Sequence, residues 1–447
     1  MVHSLSTDTS SRPSSPRKRG SKARGGCAFI LLLAVVLIAL YLYRNRTPHF
    51  DLPAPAMPAT NAYPDFVRAG QLAQRLRRKS PYDLQLKHRD RVLTPAYLSA
   101  FQQDAAPILA AVQRGLNKPY RAPVDRSADP GLLVNNTLFL KCERVIAGDA
   151  ITYERSGQPG KAMDTLLDGL EMAVTIPHGG GLLPFLAGNA CEILCTDQIE
   201  PLLPRLSPSE LAQAASRLDR ITAKRAAFAD VLTEEADLTT ARQVAFLQDC
   251  QGVKIYDIAR ALVGVPRMHA PTWGQWRQIT GFCLADKPAM VQANRDYLLA
   301  LAAEARRPYT GPSSLHPPDN LLSPTADTLQ TDRNRYVHSE AVCAILRAEI
   351  ALYRYHAAHG RYPDSLAQLV PAYLPSVPDD PFGGGPGIPL RYHSAGDGRS
   401  FRLYSLGAGR QDQGGRFTPD GDEDDPGNIV AGHLWRRPTL GIGKAED

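Results

Sequence analysis

"HGRYPDSLAQLVPAYLPSVPDDPFGGGP", residues 359–386, decides how the last part of this chain folds. Gly360 is placed to take the left-handed conformation that stops a helix, because it has no Cβ to clash there. "PDSLAQLV" restarts a short helix, with Asp364 or Ser365 available for its exposed N–H groups, and Pro371 ends it. From Ala372 to Pro389 the prolines and glycines forbid regular structure, which predicts an ordered crossing loop. Asp379 and Asp380 invite a reading as an acid–base pair. Adjacent side chains point apart, however, and an Asp before a proline commonly starts a turn. Each residue of the string thus has a structural job.

Working upstream, apolar positions at helical spacing predict a long helix over about 334–358. Ala341, Ile345, Ala348, Leu352 and Tyr355 share one face, and Cys343, Leu346 and Ile350 widen it. Downstream, "PLRYH" and "FRLYSLG" read as strands joined by the turn "SAGDGR", so a helix packed on a small antiparallel hairpin is expected.

The order of long helix, "HGRYPDSLAQLVP", "VPDDPFGG", "PLRY", "FRLYSLGAG" and an Asp/Gly-rich tail resembles the C-terminal globular domain of the major pseudopilin of type II secretion systems. It is also similar to the membrane-anchored bacterial proteins that borrow that module. The resemblance covers roughly residues 335–430. It implies a small α+β domain and a calcium site in the acidic tail, with Asp412, Asp420, Asp422 and Asp424 as the candidate ligands and Asp425 beside them; the competing reading is a solvated acidic loop. The chain departs from the family in several places. A "GADG"-like step reads "GAGR", the usual late Asp is Asn428, and an EF-hand pattern fails at Asp425 and Ala431. A pseudopilin also carries Glu five residues into its apolar segment, where this chain has Leu31 after Gly26. Incorporation into a pilus is therefore not expected.

The N-terminal stretch "CAFILLLAVVLIALYLY", Cys27 to Tyr43, holds no charge. As a helix its 17 residues reach about 26 Å, close to the ~30 Å of a hydrocarbon core. Arg12, Arg17, Lys18, Arg19, Lys22 and Arg24 precede it and Arg44 and Arg46 follow, so the N-terminus is expected in the cytoplasm and the bulk of the chain beyond the membrane. "RNRTPHF" lacks the small residues of a cleavage site, which makes the segment an uncleaved anchor. Residues 1–26 read as a disordered basic tail and 44–60 as a Pro-punctuated stalk. The formal charge of +6 resides almost wholly in residues 1–46, which hold eight basic residues against Asp8. The remainder is near neutral, which excludes the folded basic face a nucleic-acid binder needs.

Residues 61–307 read as an all-helical domain, an irregular bundle or short solenoid. Thr94 with Pro95, and Ser207 with Glu210, are helix-start signals. "CERVIAGDAITYERSGQPGKAMDTLLDGLEMA" looks like one helical hairpin of a tetratricopeptide-type repeat, with no second copy at a fixed period. Residues 308–332 break every periodicity and are taken as a linker, 333–430 as the pseudopilin-like domain and 431–447 as a tail. The fold class is therefore mostly α, with a transmembrane helix and a small α+β C-terminal domain. Beyond the anchor, Cys142, Cys191, Cys195, Cys250, Cys283 and Cys343 are open to two readings, disulfide partners or small buried apolar residues.

Catalytic motifs are incomplete. "HGGG" at 178–181 lacks a G-x-S-x-G elbow and reads as an interhelical turn. His356 and His359 have no third ligand at helical spacing, and His359 fits a helix terminus better. No P-loop, G-x-G-x-x-G or H-E-x-x-H occurs. The expectation is a membrane-anchored, extracytoplasmic, non-catalytic binding or assembly protein of the bacterial envelope with a protein partner. The alternative is an exported hydrolase with its site in the helical domain.

Overall fold

The helix that stops at Gly360 spans Ala326–His359, 34 residues and about 51 Å. Gly360 has φ 70° and its N–H donates to His356 O at 2.8 Å, closing the last turn as the sequence predicts. The computed structural model describes residues 21–52, 55–124, 131–249, 254–265, 270–417 and 427–435, with side chains in the first helix from Phe29 onward. In chain order the helices are α1 (Ser21–Arg44), α2 (Tyr63–Arg75), α3 (Pro81–Leu86), α4 (Pro95–Leu116), α5 (Gly131–Arg155), α6 (Pro159–Thr175), α7 (Leu182–Ile199), α8 (Pro208–Ala223), α9 (Phe228–Asp249), α10 (Lys254–Leu262), α11 (Trp273–Leu284), α12 (Lys287–Ala305) and α13 (Ala326–His359). The strands are β1 (Arg391–Ser394), β2 (Phe401–Ser405) and β3 (Ile429–Val430). The protein is mostly helical, with one small antiparallel sheet near the C-terminus.

Two compact units partition the chain. One comprises residues 1–48 and 250–289, the other 49–249 and 290–447. In the first, α1 begins at Ser21, inside the segment read as a disordered tail; no proline lies between Pro16 and Pro48 to break the helix. Residues 1–20 lie outside the described residues. The expected anchor, 27–43, falls in α1, and every side chain from Phe29 to Tyr43 is exposed. Among the described residues no helix is long and apolar enough to cross a membrane; the described side chains of α1 run only from Phe29 to Arg44. In the same unit α11 starts with a Thr272–Gln275 capping box, and Trp276 lies 5.9 Å from the Tyr256 ring of α10.

The second unit is built on apolar stripes. Ala341, Ile345, Ala348 and Leu352 of α13 are fully buried in one cluster with Leu166, Leu167 and Leu170 of α6, Leu211 and Leu218 of α8, and Leu403 of β2. That cluster draws on residues before and after 308–332. A second cluster joins α2, α4 and α5 through Phe66, Phe101, Ile108, Phe139 and Ile146. A third gathers Phe185, Phe228, Leu232, Tyr297 and Leu301. The α5–α6 hairpin turns at Gly157, φ 75°, and the two expected helix starts form as read: Thr94 accepts from Tyr97 N, and Ser207 and Glu210 complete a capping box.

The sheet has the order β1-β2-β3, with Tyr392 opposite Leu403 and Tyr404 opposite Val430. The β1–β2 hairpin was expected; β3, two residues long, was too short to carry a pattern. "PDSLAQLV" forms only one 3-10 turn, Leu366–Leu369, in place of a short α-helix. Ser365 (φ −151°, ψ 156°) and Val370 (φ −96°, ψ 137°) are both extended, Val370 as the residue before Pro371, which confines the turn to Leu366–Leu369; the expected cap is replaced by Gln368, whose Oε1 accepts from Asp364 N at 3.0 Å.

Candidate functional site

A pocket of about 360 Å³ opens at the head of α13, with Arg333, Tyr336, Val337 and Glu340 on one wall. Phe228 of α9 and Tyr309 beyond α12 supply aromatic faces, and Asp379–Pro381 with Gly385 and Pro386 form the rim. The string that stops α13 therefore also returns to wall this cavity. Phe228 stacks on Tyr336 at 5.4 Å, and Tyr309 meets Phe382 edge-on at 5.2 Å. Arg333 sits over the Tyr309 ring and pairs with Glu304. Burial raises the Glu340 carboxyl above its ordinary range although Arg225 and the Tyr336 hydroxyl oppose the shift. Burial likewise raises the Tyr336 and Tyr309 hydroxyls. Another groove, larger and more open, runs along Arg75–Lys79, Tyr97 and Asp104, where Arg75, Arg77 and Lys79 are exposed and Arg78 is paired with Asp104.

Behind the pocket lies a buried charge network. Arg225, in the link between α8 and α9, donates Nη1 to Glu192 Oε1 and Nη2 to Glu192 Oε2, both at 2.8 Å. The same guanidinium reaches Ser339 Oγ at 3.0 Å and Cys343 Sγ at 3.3 Å, and Ser339 donates to Glu192. α7, the α8–α9 link and α13 are thereby tied at one point. Burial alone would lower the Arg225 pKa, but the Glu192 carboxylate together with Cys343 and Tyr336 outweighs it and holds the guanidinium charged. Burial pushes the Cys343 thiol up to about 11 despite Arg225, so it is no thiolate at neutral pH. The groups this site presents are aromatic faces, a carboxyl and guanidinium groups.

Two further buried acid sites lie in the helical layers. Cys195 Sγ donates to Glu143 Oε1 at 2.6 Å, and burial pushes Glu143 up to about 8. Its Oε2 has no partner. Glu200 and Glu349 face each other; burial raises both, Glu200 to about 7. Gly432 N–H donates to Glu200, Trp435 Nε1 to Thr196 Oγ1 at 2.7 Å, and His338 bonds Leu434 O at 3.0 Å. The segment after β3 is thus strapped onto α7 and α13.

Of the candidate calcium ligands, Asp412 accepts from the Tyr404 hydroxyl at 2.8 Å, Gly414 N at 3.0 Å and Arg391 Nε at 3.2 Å. Those bonds, the Tyr404 one foremost, lower its pKa. Asp420, Asp422 and Asp424, with Asp425, lie outside the described residues. Asn428 donates to Leu406 O and Gln411 O and accepts from Gln413 N and Gly415 N, fixing the loop with four bonds of its own. Among the described residues no group of three or more His, Cys, Asp or Glu is arranged to hold a metal ion.

Asp379 and Asp380 point apart. Asp380 is buried and accepts from Ser405 Oγ at 2.6 Å, Leu406 N at 2.8 Å and Phe382 N at 3.0 Å, while Asp379 is exposed at the pocket rim. His359 bonds Tyr355 O and stacks on its ring; His356 lies against Tyr362 instead. "HGGG" is the α6–α7 turn, with Gly179 at φ 78° and Gly181 at φ 70°. Cys142, Cys191, Cys195, Cys283 and Cys343 are free thiols, all but Cys283 buried; Cys250 lies outside the described residues. Arg225, Glu192, Glu340 and Glu143 were not singled out from sequence. The signal open to reading was a lone acid inside an apolar, small-residue run, as in "NACEILC" and "HSEAVCAIL".

No family model matches this chain, and no curated protein or solved structure matches it.

Proposed function

We propose that the protein is a single-pass bacterial envelope protein, anchored through residues 27–43 with its N-terminus cytoplasmic, whose extracytoplasmic bulk binds a protein partner. The observation that carries this reading is α1. From Phe29 to Tyr43 it exposes apolar side chains on every face, a surface that water does not favour and a bilayer does. α13 packed against the β1-β2-β3 sheet supports reading residues 333–430 as a pseudopilin-like module serving assembly. The aromatic pocket at the head of α13 is the proposed seat for a partner's side chain, with Glu340 and Asp379 placed to receive a cationic or hydrogen-bonding group. The alternative, an exported hydrolase, needs an activated nucleophile; among the described residues no Ser, Thr or Cys lines the pocket, and Ser339 and Cys343 behind it are buried and engaged by Arg225.

The test is fractionation of the full-length protein together with a reporter, active only outside the cytoplasm, fused after residue 60. Retention in membranes after an alkaline wash, release by detergent and an active reporter are expected. Protein that stays in the supernatant of a detergent-free lysate overturns the reading.

A further inference from the structure

Helix α11 carries apolar side chains on two opposite faces. Ile279 and Phe282 are buried. At 100° per residue, Trp273, Trp276, Arg277, Thr280 and Leu284 fall within an arc of about 100° on the other side. Trp273 is 86% exposed, Leu284 57% and Trp276 40%. Soluble surfaces seldom place two tryptophans and a leucine on one bare helical stripe.

The position of this stripe identifies what covers it. Within the same compact unit, the end of α1 is bonded to the end of α11. Asn45 Nδ2 donates to Cys283 O at 3.1 Å, Arg44 Nη1 to Leu284 O at 3.4 Å, and Arg46 faces Asp286 at 3.6 Å. The bare face of α11 therefore ends, at Leu284, beside the point where the apolar run of α1 stops, at Tyr43. The bare stripe carries Trp273, Trp276 and Arg277, and α1 ends in Tyr41, Tyr43, Arg44 and Arg46. Amphipathic aromatic rings and snorkelling cations are what the headgroup layer of a bilayer accommodates.

We propose that α11 lies in the bilayer interface beside the exit of α1, with Trp273 and Trp276 at headgroup depth, as a second membrane contact. This rests on the reading of α1 as a membrane anchor. The occupant of the bare face is the lipid surface; a second copy of the chain or another protein is the alternative that the test separates.

The chain has three tryptophans, and the third, Trp435, belongs to the other unit and is bonded to Thr196. Full-length protein, purified in detergent, is reconstituted into phosphatidylcholine–phosphatidylglycerol vesicles and floated on a density gradient, which reports membrane association irrespective of where Trp273 and Trp276 lie. Tryptophan emission is then compared in vesicles of ordinary lipid, of lipid brominated near the headgroup and of lipid brominated near the chain end. In Trp435→Phe, shallow bromines are expected to quench about half of the emission or more, and deep bromines less. In Trp273→Phe/Trp276→Phe, which leaves Trp435 as reporter and needs no change in the strap, emission should be the same in all three. Protein that floats while Trp273 and Trp276 are unquenched overturns the interfacial contact and leaves the anchor standing. The same holds if they are unquenched by lipid and shielded from aqueous acrylamide, which would put protein on that face. Protein that does not float overturns the anchor and this contact together.

Discussion

Arg225 holds Glu192 in a two-pronged ion pair, 2.8 Å at each prong, with both side chains almost wholly out of water. A buried pair of this kind is costly to break and cheap to replace, because removing one partner strands the other charge in a medium that cannot solvate it. Arg225→Ala and Glu192→Ala should each destabilise the fold by about 3–5 kcal/mol. The double variant Arg225→Met/Glu192→Leu should melt above either single variant. Thermal unfolding of the three proteins side by side checks this; a double variant as weak as the singles would mean the pair is not isolated from its surroundings.

The buried acids set the pH dependence of stability. Burial raises Glu143 to about 8, Glu200 to about 7 and Asp149 to about 6, and raises Glu349 as well. A carboxyl whose folded pKa exceeds its unfolded one binds more protons in the folded state. Its share of stability is whole below the unfolded value near 4.5 and falls as pH rises through the folded value. The melting temperature should therefore decline from about pH 5 to pH 8.5, and Glu143→Gln should make the decline shallower without removing it. A pH series of melting curves for both proteins gives the comparison.

Gly169 faces that acid from α6. A Cβ there would lie 2.7 Å from Cys195 Sγ and run into Glu143 Oε1. Gly169→Ala should cost about 1–3 kcal/mol through overpacking, although alanine is the better helix former. Gly281 of α11, with nothing within 4 Å of its would-be Cβ, is the control. Gly281→Ala should leave stability unchanged or raise it by up to about 1 kcal/mol. Denaturant titration distinguishes the two signs.

Asp380 and Asp379 offer a matched pair of neighbours. Asp380→Asn places an amide where the carboxylate now accepts from Ser405, Leu406 and Phe382. A loss of about 2–3 kcal/mol is expected. Asp379→Asn, on the exposed rim, should change stability by less than about 0.5 kcal/mol. If both variants melt alike, the assignment of Asp380 as the fastener between the crossing loop and β2 is wrong.

Local signals in the sequence carried a good deal of this fold. Gly360, the Thr94 and Ser207 caps, the Gly157 turn and the β1–β2 hairpin each follow from the conformational limits of a few adjacent residues, and the apolar period of α13 is legible because it repeats over many turns. The pocket and its network were not. Phe228, Tyr309, Tyr336 and the 379–386 loop come from four places in the chain, and Glu192, Arg225 and Ser339 from three. No spacing rule links them, because they meet only after α13 has docked. Short pieces were lost for a different reason: β3 has two residues, and the turn at Leu366–Leu369 is confined by the extended residues Ser365 and Val370 flanking it more than by its own pattern. The bare stripe of α11 was readable in principle, but Ile279 and Phe282 on the opposite face obscure it in any one-sided scan.

The apolar face of α13 is shared property. Ile345 and Leu352 lie in one oily mass with Leu166, Leu170 and Leu218, so neither side of residues 308–332 keeps a dry interior without the other. The C-terminal portion is not a detachable cassette: grafted onto another protein, it would arrive with its spine uncovered, and the host left behind would carry an open wound of the same shape.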